Sequence, residues 1–264
     1  PRVGEPLRAP MPRLVTLDLN HRTRHPPIPV RLVNALLALE PDILVLTEYV
    51  EAQPRPELDR QLRDGGLPYR AVSEARTYGR GRNCNQVLIA SRSPVDVLPS
   101  IPARPGDFAG PGLLLVRTAG IVVAGVRVPM IKTAEERTAY WTWLGKLERA
   151  DVLLGDFNAD PDRNGALDKA FRSFAEAAGW STVRATGPWS FRSPSGRSSR
   201  VDHVLTKPAV VVEDARYAAE PFVPQFTDHA ALVVDIAHPL SNGSGSLDYS
   251  APALATRGQI GWRR

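Results

Sequence analysis

Short apolar runs alternate with amphipathic stretches over most of the chain. Runs rich in β-branched residues predict strands at 14–19, 43–46, 86–90, 113–116, 121–128, 152–154, 201–205, 209–212 and 230–236. Apolar residues at helical spacing predict helices over 30–39, 134–147 and 166–178. Strands and helices alternate early and strands dominate later, which predicts an α/β protein with a mixed sheet or sheets. Two stacked sheets would account for the number of strands.

The two ends of the chain lack this pattern. Residues 1–12 are rich in Pro and Arg, and residues 239–264 are rich in Gly, Ser and Ala. We therefore predict a flexible N-terminal segment, a single domain over 13–238 and a flexible C-terminal tail. No secretory signal is recognisable at the start, which favours the cytoplasm, and the Pro at position 1 leaves open that a preceding segment was removed.

Composition narrows the class of protein. The 264 residues are 43% hydrophobic and 23% charged, which is typical of a globular domain that needs no disulfide to hold its core. Cys84 is the single cysteine, so an intramolecular disulfide and a cysteine-rich zinc site are both excluded. The longest apolar runs reach only about half of a bilayer span, which excludes an integral membrane protein.

The charge is positive and is carried by arginine. The net charge is +5, and 29 of the 33 basic residues are Arg. An arginine-rich surface fits a polyanionic partner such as nucleic acid, because the guanidinium group forms bidentate contacts with phosphate. A coding preference for Arg over Lys explains the same composition equally well, so charge alone does not identify a partner.

Acidic and amide residues recur in or beside five of the predicted strands. They are Asp18 and Asn20, Glu48, Asp156 and Asn158, Asp202 beside His203, and Asp228 beside His229. Any one of them could be a turn or capping residue. Five such segments in one chain, on strands that can be neighbours, instead predict that the acids converge at one edge of a sheet.

Carboxylates gathered in one site repel each other and need a cation at neutral pH. The donors in these segments are oxygens without a thiolate, which favours a hard ion, Mg²⁺ or Mn²⁺. A hard divalent ion beside an Asp-His pair indicates phosphate ester chemistry.

Six motifs, in order, carry a resemblance to a known family. They are TLDLNHR (16–22), PDILVLTE (41–48), NQVLIASRSPV (85–95), LLGDFNADP (153–161), SRVDHVL (199–205) and TDHAALVVDI (227–236). Together they resemble the endonuclease/exonuclease/phosphatase superfamily, with its DNase I-like fold, over 13–238. The resemblance implies a four-layer α/β sandwich, in which two packed mixed sheets are flanked by helices, and a hydrolase that depends on Mg²⁺ or Mn²⁺.

The resemblance also implies roles for the matching residues. Glu48 and Asp228 match metal-binding acids of the family. Asp156 matches the residue that polarises the attacking water, and Asn158 matches the residue that holds the scissile phosphate. Asn85 lies where family members often have an Asn near the substrate, although an Asn in a turn would look the same.

Asp202 matches the acid that orients the catalytic histidine, here His229, which contacts phosphate or moves a proton. Two positions depart from the family pattern. Asp18 stands where Asn is usual, with Asn20 two residues on, so that one would bind metal and the other phosphate. Arg127 stands where His or Tyr is usual; it cannot act as a general acid near neutral pH, but it can clamp a phosphate oxygen. Alternatively, Arg127 points to solvent.

Loops between the motifs supply candidates for substrate binding. Arginines and a histidine cluster over 22–25, 76–82 and 192–200, where they could grip a nucleic-acid backbone or simply be solvated. Trp189 and Phe191 could stack a base, although the balance slightly favours packing in the core.

The leading hypothesis is a divalent-metal-dependent phosphodiester hydrolase, a nuclease acting on DNA or RNA. The same chemistry would serve a phosphatase or phosphodiesterase acting on a small phosphorylated molecule or a lipid headgroup. A third interpretation, motivated by Asp18 and Arg127, is a non-catalytic relative that binds nucleic acid. The sequence leaves the oligomeric state open.

Overall fold

The computed structural model describes residues 12–20, 28–51, 55–74, 77–78, 82–83, 85–99, 101 and 112–237. The tail predicted over 239–264 lies outside the described residues, as do Cys84 and all but Pro12 of the segment predicted over 1–12. The domain boundaries therefore stay predictions.

Strands outnumber helices in the described part of the chain. In chain order the elements are β1 (Arg13–Asp18), α1 (Val30–Leu37), β2 (Ile43–Tyr49), α2 (Pro56–Asp64), β3 (Tyr69–Val72), β4 (Thr77–Tyr78), β5 (Arg82–Asn83), β6 (Gln86–Ser91), β7 (Asp96–Val97), β8 (Leu113–Thr118), β9 (Ile121–Arg127), α3 (Ala134–Leu144), β10 (Val152–Asp156), α4 (Ala166–Ala177), β11 (Ser181–Val183), β12 (Phe191–Arg192), β13 (Ser198–Ser199), β14 (Asp202–Thr206), β15 (Val211–Ala218) and β16 (Ala231–Ala237). None of the described helices has the length and apolar character needed to span a membrane.

The strands form two six-stranded mixed sheets. The first has the order β15-β16-β1-β2-β6-β3, and the second has the order β11-β14-β10-β9-β8-β7. Each sheet has one parallel pair near its middle, β1 with β2 and β9 with β10, and antiparallel pairs elsewhere. Two short ribbons, β4–β5 and β12–β13, lie outside these sheets.

Hydrophobic layers separate the sheets and cover their outer faces. The layer between the sheets joins Val45 and Val87 of the first sheet to Val123 and Leu154 of the second, and all four are fully buried. Residues of α1 and α2 pack on the outer face of the first sheet, and residues of α3 and α4 pack on that of the second. This arrangement confirms the predicted four-layer α/β sandwich.

Gly125 lets the two sheets approach closely. It lies in β9, where a Cβ would stand 2.6 Å from Cγ1 of Val87 and 2.8 Å from Cγ1 of Val45. Both valines are fully buried and β-branched, so neither side chain can move aside easily. The lack of a side chain at this position is therefore a packing requirement of the sandwich.

Element boundaries differ from the sequence prediction in a few places. The three predicted helices are confirmed, but each ends one to three residues earlier. The strand predicted over 209–212 begins two residues later, because residues 207–210 form a turn closed by a backbone hydrogen bond, and it continues as β15 from Val211 to Ala218. Helix α2 was not predicted, because most of its residues are polar and it buries only a narrow face.

Replacing Gly125 with Ala is expected to lower the free energy of unfolding by about 1–3 kcal/mol, because the added methyl group overpacks the layer between the sheets. Urea unfolding at neutral pH measures the change. Val97→Ala, at an exposed position of β7, is the control and should stay within about 0.5 kcal/mol of the parent. Equal stability of Gly125→Ala and the parent would contradict the packing argument.

Candidate active site

Four charged side chains lie at the carboxyl ends of the parallel strand pairs. Asp18 is the last residue of β1, and Glu48 is the last but one of β2. Arg127 ends β9 and Asp156 ends β10, and these two residues are direct partners in the register. Parallel neighbours end at a common edge, so each sheet presents two of the groups there. A hydrogen bond of 2.7 Å from Arg127 Nη2 to Glu48 Oε1 joins the edges of the two sheets.

The backbone turns sharply as it leaves these strands. Asn20, Glu48 and Asn158 have positive φ angles of 43°, 53° and 49°, in a region that non-glycine residues enter at an energetic cost. At Glu48 the turn coincides with an irregularity in the pairing of β2 with β6, which re-aims the side chain. Gly155 has a φ of 140°, and a Cβ there would collide with the carbonyl of Val126. Only glycine fits the position before the acid that ends β10.

A line of polar contacts crosses from the first sheet to the second. Glu48 Oε1 accepts hydrogen bonds from Arg127 and, at 3.2 Å, from Asn85 Nδ2. Nε of Arg127 lies 3.9 Å from Asp156 Oδ2. The Arg127 side chain is 19% exposed, so it faces the acids and the alternative that it points to solvent is wrong.

Asp18 is buried and held through three contacts. Its Oδ1 accepts the backbone N–H of Asn20, and its Oδ2 accepts the hydroxyl of Thr47, both at 2.8 Å. Its carbonyl accepts the hydroxyl of Thr227 at 2.9 Å. Burial, opposed by the nearby charge of His229, raises the pKa of Asp18 to about 6.

Asp156 and Asn158 form a compact pair at the end of β10. Asn158 donates its backbone N–H to Asp156 Oδ1 at 2.8 Å and its Nδ2 to Asp156 Oδ2 at 2.7 Å. Nδ2 also donates to the carbonyl of Val128 at 2.7 Å. Burial raises the pKa of Asp156 well above its usual value, and the charge of Asp202, its direct register partner, raises it further. A raised pKa makes this carboxylate a better proton acceptor.

An aspartate holds the imidazole of His229. Its Nδ1 lies 2.8 Å from Asp202 Oδ2. The backbone of Asp202 is fixed in turn, because its N–H donates to the Ser190 hydroxyl and its carbonyl accepts the hydroxyl of Tyr217. Burial alone would lower the pKa of His229, but the charges of Asp202 and Asp18 raise it well above its usual value. A raised pKa favours the protonated form of the imidazole, in which Nε2 is a donor.

Asp228 lies next to His229 with an unsatisfied oxygen. Its Oδ1 is buried, has no hydrogen-bond partner among the described residues, and lies 3.9 Å from His229 Nε2. Among those residues, no three His, Cys, Asp or Glu side chains form a group that could hold a metal ion alone. Mg²⁺ is commonly held by one or two carboxylates, while water and substrate phosphate complete its shell. Glu48, Asp228, Asp18 and Asn20 offer oxygen donors of the kind that Mg²⁺ prefers, and their assignment as metal ligands stays a prediction.

The structure brings the predicted site residues together through side-chain contacts at the edge where the two sheets meet. They are Asp18, Asn20, Glu48, Asn85, Arg127, Asp156, Asn158, Asp202, Asp228 and His229. His203 does not join them: its ring stacks on Phe171 at 5.0 Å, its Nε2 lies 2.8 Å from the carbonyl of Ala159, and burial lowers its pKa. It belongs to the hydrophobic layer beneath α4.

Hydroxyl groups that hold the acids were missed from the sequence. Thr47 and Thr227 each directly precede a site acid, and this position was a signal that could have identified them. Ser190 accepts the N–H groups of Val201 and Asp202 at 2.8 and 3.0 Å, yet nothing in its local sequence marks it.

The aromatic and basic candidates divide between packing and the cleft. Phe191 is half-buried, with its ring centroid 5.1 Å from that of His229. Trp189 is also half-buried, and the guanidinium carbon of Arg192 lies 5.9 Å from its ring centroid. Arg197 is exposed, whereas Arg200 donates to the carbonyl of residue 187 at 2.6 Å. Five other basic candidates lie outside the described residues: Arg22, Arg24, His25, Arg76 and Arg80.

Comparisons with known proteins agree with this geometry. The model of the Endonuclease/Exonuclease/phosphatase family matches residues 15–229. An AP endonuclease from Archaeoglobus fulgidus is 21% identical, with a TM-score of 0.65 over 85% of this chain and 98% of its own. A 3'-5' exonuclease from Neisseria meningitidis is 22% identical, with a TM-score of 0.65 over 86% of this chain and 100% of its own. A 3' phosphatase from Neisseria, bound to a product DNA hairpin, is 22% identical, with a TM-score of 0.63 over 85% and 98%.

A comparison with curated protein sequences gives no significant match. The solved structures share too little sequence to support more than the fold. The family model, by contrast, extends over most of the chain and takes in every predicted site residue from Asp18 to His229. On that match, together with the shared fold, this chain belongs to the endonuclease/exonuclease/phosphatase family of phosphate ester hydrolases.

Proposed function

We propose that this protein is a divalent-metal-dependent phosphodiester hydrolase that acts as a nuclease. The observation that carries the proposal is the Asp202–His229 pair, which lies beside the Asp156–Asn158 pair at the edge where the two sheets meet. The first pair supplies an imidazole of raised pKa, and the second supplies a carboxylate of raised pKa. Hydrolysis of a phosphate ester needs both kinds of group.

Asp156 is the group placed to accept a proton from the attacking water. Asn158 fixes the orientation of its carboxylate through two hydrogen bonds. The side-chain Oδ1 of Asn158 can only accept hydrogen bonds. In this arrangement the donors of Asn158 therefore serve mainly to orient Asp156. Any contact of Asn158 with phosphate would use the Nδ2 group that now donates to Asp156 and Val128.

Two positively charged groups can stabilise the charge that develops on phosphate. His229 can donate from Nε2 to a phosphate oxygen or to the leaving oxygen, because Asp202 already occupies Nδ1. Arg127 has a buried Nε without a hydrogen-bond partner among the described residues. A buried donor without a partner is explained more readily by a contact with a phosphate oxygen of the substrate than by a structural role.

A divalent ion, when bound, would add Lewis-acid stabilisation of the charge on phosphate. Glu48 and Asp228 would hold it, with Asp18 and Asn20 next to them. The buried and unpaired Oδ1 of Asp228 supports this assignment, because an orphaned buried acceptor is destabilising unless it has a ligand. The same cost argues against a non-catalytic relative that keeps the acids without a use for them.

Nucleic acid is the substrate class that the surroundings favour. Arg192 and Arg197 are exposed on the β12–β13 ribbon, Arg192 at the end of β12 and Arg197 in the turn that follows. The chain as a whole carries a net charge of +5, which draws a polyanion towards it. Solved structures of this fold include an AP endonuclease and an exonuclease.

Hydrolysis of nucleic acid is expected with Mg²⁺ or Mn²⁺ and should stop when EDTA removes the ion, because the ion carries part of the charge stabilisation. The assay compares double-stranded, single-stranded and abasic DNA with RNA, beside a panel of phosphorylated small molecules. Turnover of the small molecules alone would replace the nuclease with a phosphatase. No hydrolysis of any substrate by folded protein would refute the proposal.

Glu48→Gln, Asp156→Asn and His229→Ala are each expected to reduce kcat/KM by at least about 100-fold, since each removes a group assigned to the reaction. Initial rates on the best substrate of the panel measure the effect. Asp96→Asn, an acid-to-amide change at an exposed residue on an edge strand of the second sheet, is the matched control and should keep the parent rate. A variant with normal turnover would remove its residue from the site.

Arg127→Met is expected to lower the free energy of unfolding in EDTA by on the order of 3 kcal/mol, because Glu48 and Asp156 lose a buried counter-charge. Added Mg²⁺ should restore part of the loss, and Arg127→Lys should lose less. Urea unfolding with and without the ion provides the measurement. Arg117→Met, on the exposed end of β8, controls for the lost charge. Unchanged stability of Arg127→Met would show that the ion pair with Glu48 does not contribute to the free energy of unfolding.

A further inference from the structure

A concavity opens beside the acid cluster of the candidate active site. It has a volume of about 610 Å³ and lies between the β12–β13 ribbon and the loop over 219–228. Asn20 and Asp228 line it, so it is continuous with the acid cluster. Its volume falls within the roughly 300–1,000 Å³ of pockets that hold one small molecule, and no residue assigned to hydrolysis other than these two lines it.

The lining has the chemistry of a nucleotide site. Trp189 contributes a half-buried indole, and Val223 and Pro224 contribute apolar surface opposite the ribbon. Arg192 lies against the indole, with its guanidinium carbon 5.9 Å from the ring centroid. An aromatic ring offers a stacking surface to any base, while an exposed guanidinium group can contact the phosphate next to it.

The ribbon is tied directly to the segment that carries the catalytic histidine. Arg192 donates its backbone N–H to the carbonyl of Asp228 at 2.9 Å, and Ala230 donates to the carbonyl of Ser190 at 2.6 Å. Phe191 and His229 form an isolated antiparallel bridge between these contacts. The backbone that carries the indole and the guanidinium group is therefore held at a set position relative to His229, which leaves less to order when a ligand binds.

We infer that this cleft binds one unpaired nucleotide next to the scissile phosphate, with its base stacked at Trp189 and its phosphate contacted by Arg192, an assignment that rests on the proposed function. A paired base carries its complement and is stacked on both sides, so it cannot enter a pocket of this size. The preferred substrate is thus a strand with an unpaired base at the cleavage position, and not a continuous duplex.

The test uses two short fluorescent DNA duplexes that differ in one group. One has a single unpaired adenosine at its centre, and the other has a baseless sugar at the same position. Fluorescence anisotropy in EDTA measures the two dissociation constants without turnover. The parent protein should bind the adenosine duplex about tenfold more tightly, the scale of one stacked base. Trp189→Ala should bring the ratio close to one, and Trp189→Phe should keep most of it.

Arg192→Ala should weaken binding of both duplexes by a similar factor, because it removes a phosphate contact and no stacking surface. Arg117→Ala, at an exposed arginine at the opposite end of the second sheet from Arg127, is the charge-matched control and should bind both duplexes as the parent does. A parent that binds the two duplexes equally, or a Trp189→Ala variant that keeps the tenfold ratio, would overturn the inference.

Hydrolysis of bis(p-nitrophenyl) phosphate with Mn²⁺ separates this inference from the proposed function. That diester carries no nucleobase or second phosphate for the cleft. If the protein hydrolyses this diester but binds the two duplexes equally, the nucleotide-binding inference is wrong and the proposed hydrolase function stands. Failure to hydrolyse it or any nucleic acid would remove the hydrolase, while the binding ratio would still decide whether the cleft takes a base.

Discussion

Several carboxyl groups are buried close together where the two sheets meet, and they can stay there only beside positive charge. Burial raises the pKa values of Asp18 and Asp156, and the charge of Asp202 raises both further. Arg127 and His229 are the positive groups that the described chain places among them. The contacts of these two positive groups balance the charge of the acids. That balance sets the proton affinities of the side chains, and therefore the chemistry that they can carry out.

The seam between the sheets is what brings the acids together. The two parallel pairs, β1 with β2 and β9 with β10, end on the same side of the sandwich. Glu48 comes from the first sheet, while Arg127 and Asp156 come from the second. The close approach of the sheets at Gly125 sets how far apart these strand ends lie. The packing of the interior therefore determines the distances between the side chains of the site.

The strands and the site acids could be predicted because both are recognisable from short stretches of the sequence. Buried strands appear as continuous apolar runs, and an acid inside such a run is unusual enough to be noticed. The contact between Glu48 and Arg127 could not be predicted, because it joins residues 79 positions apart on different sheets. The turn before β15 was missed because the apolar run over 209–212 extends from the turn into the strand, so hydrophobicity does not mark where the strand begins.

The strand order has a consequence for how the protein is made. β16, Ala231–Ala237, is the last described strand, and it lies between β15 and β1 near the middle of the first sheet. Asp228 and His229 immediately precede it, so their positions depend on its insertion beside the N-terminal strand. A growing polypeptide therefore cannot bring Asp228 and His229 to the other acids until β16 has been synthesised and has paired with β1. Such a long-range pairing is slow to form, so this part of the cluster assembles late in folding.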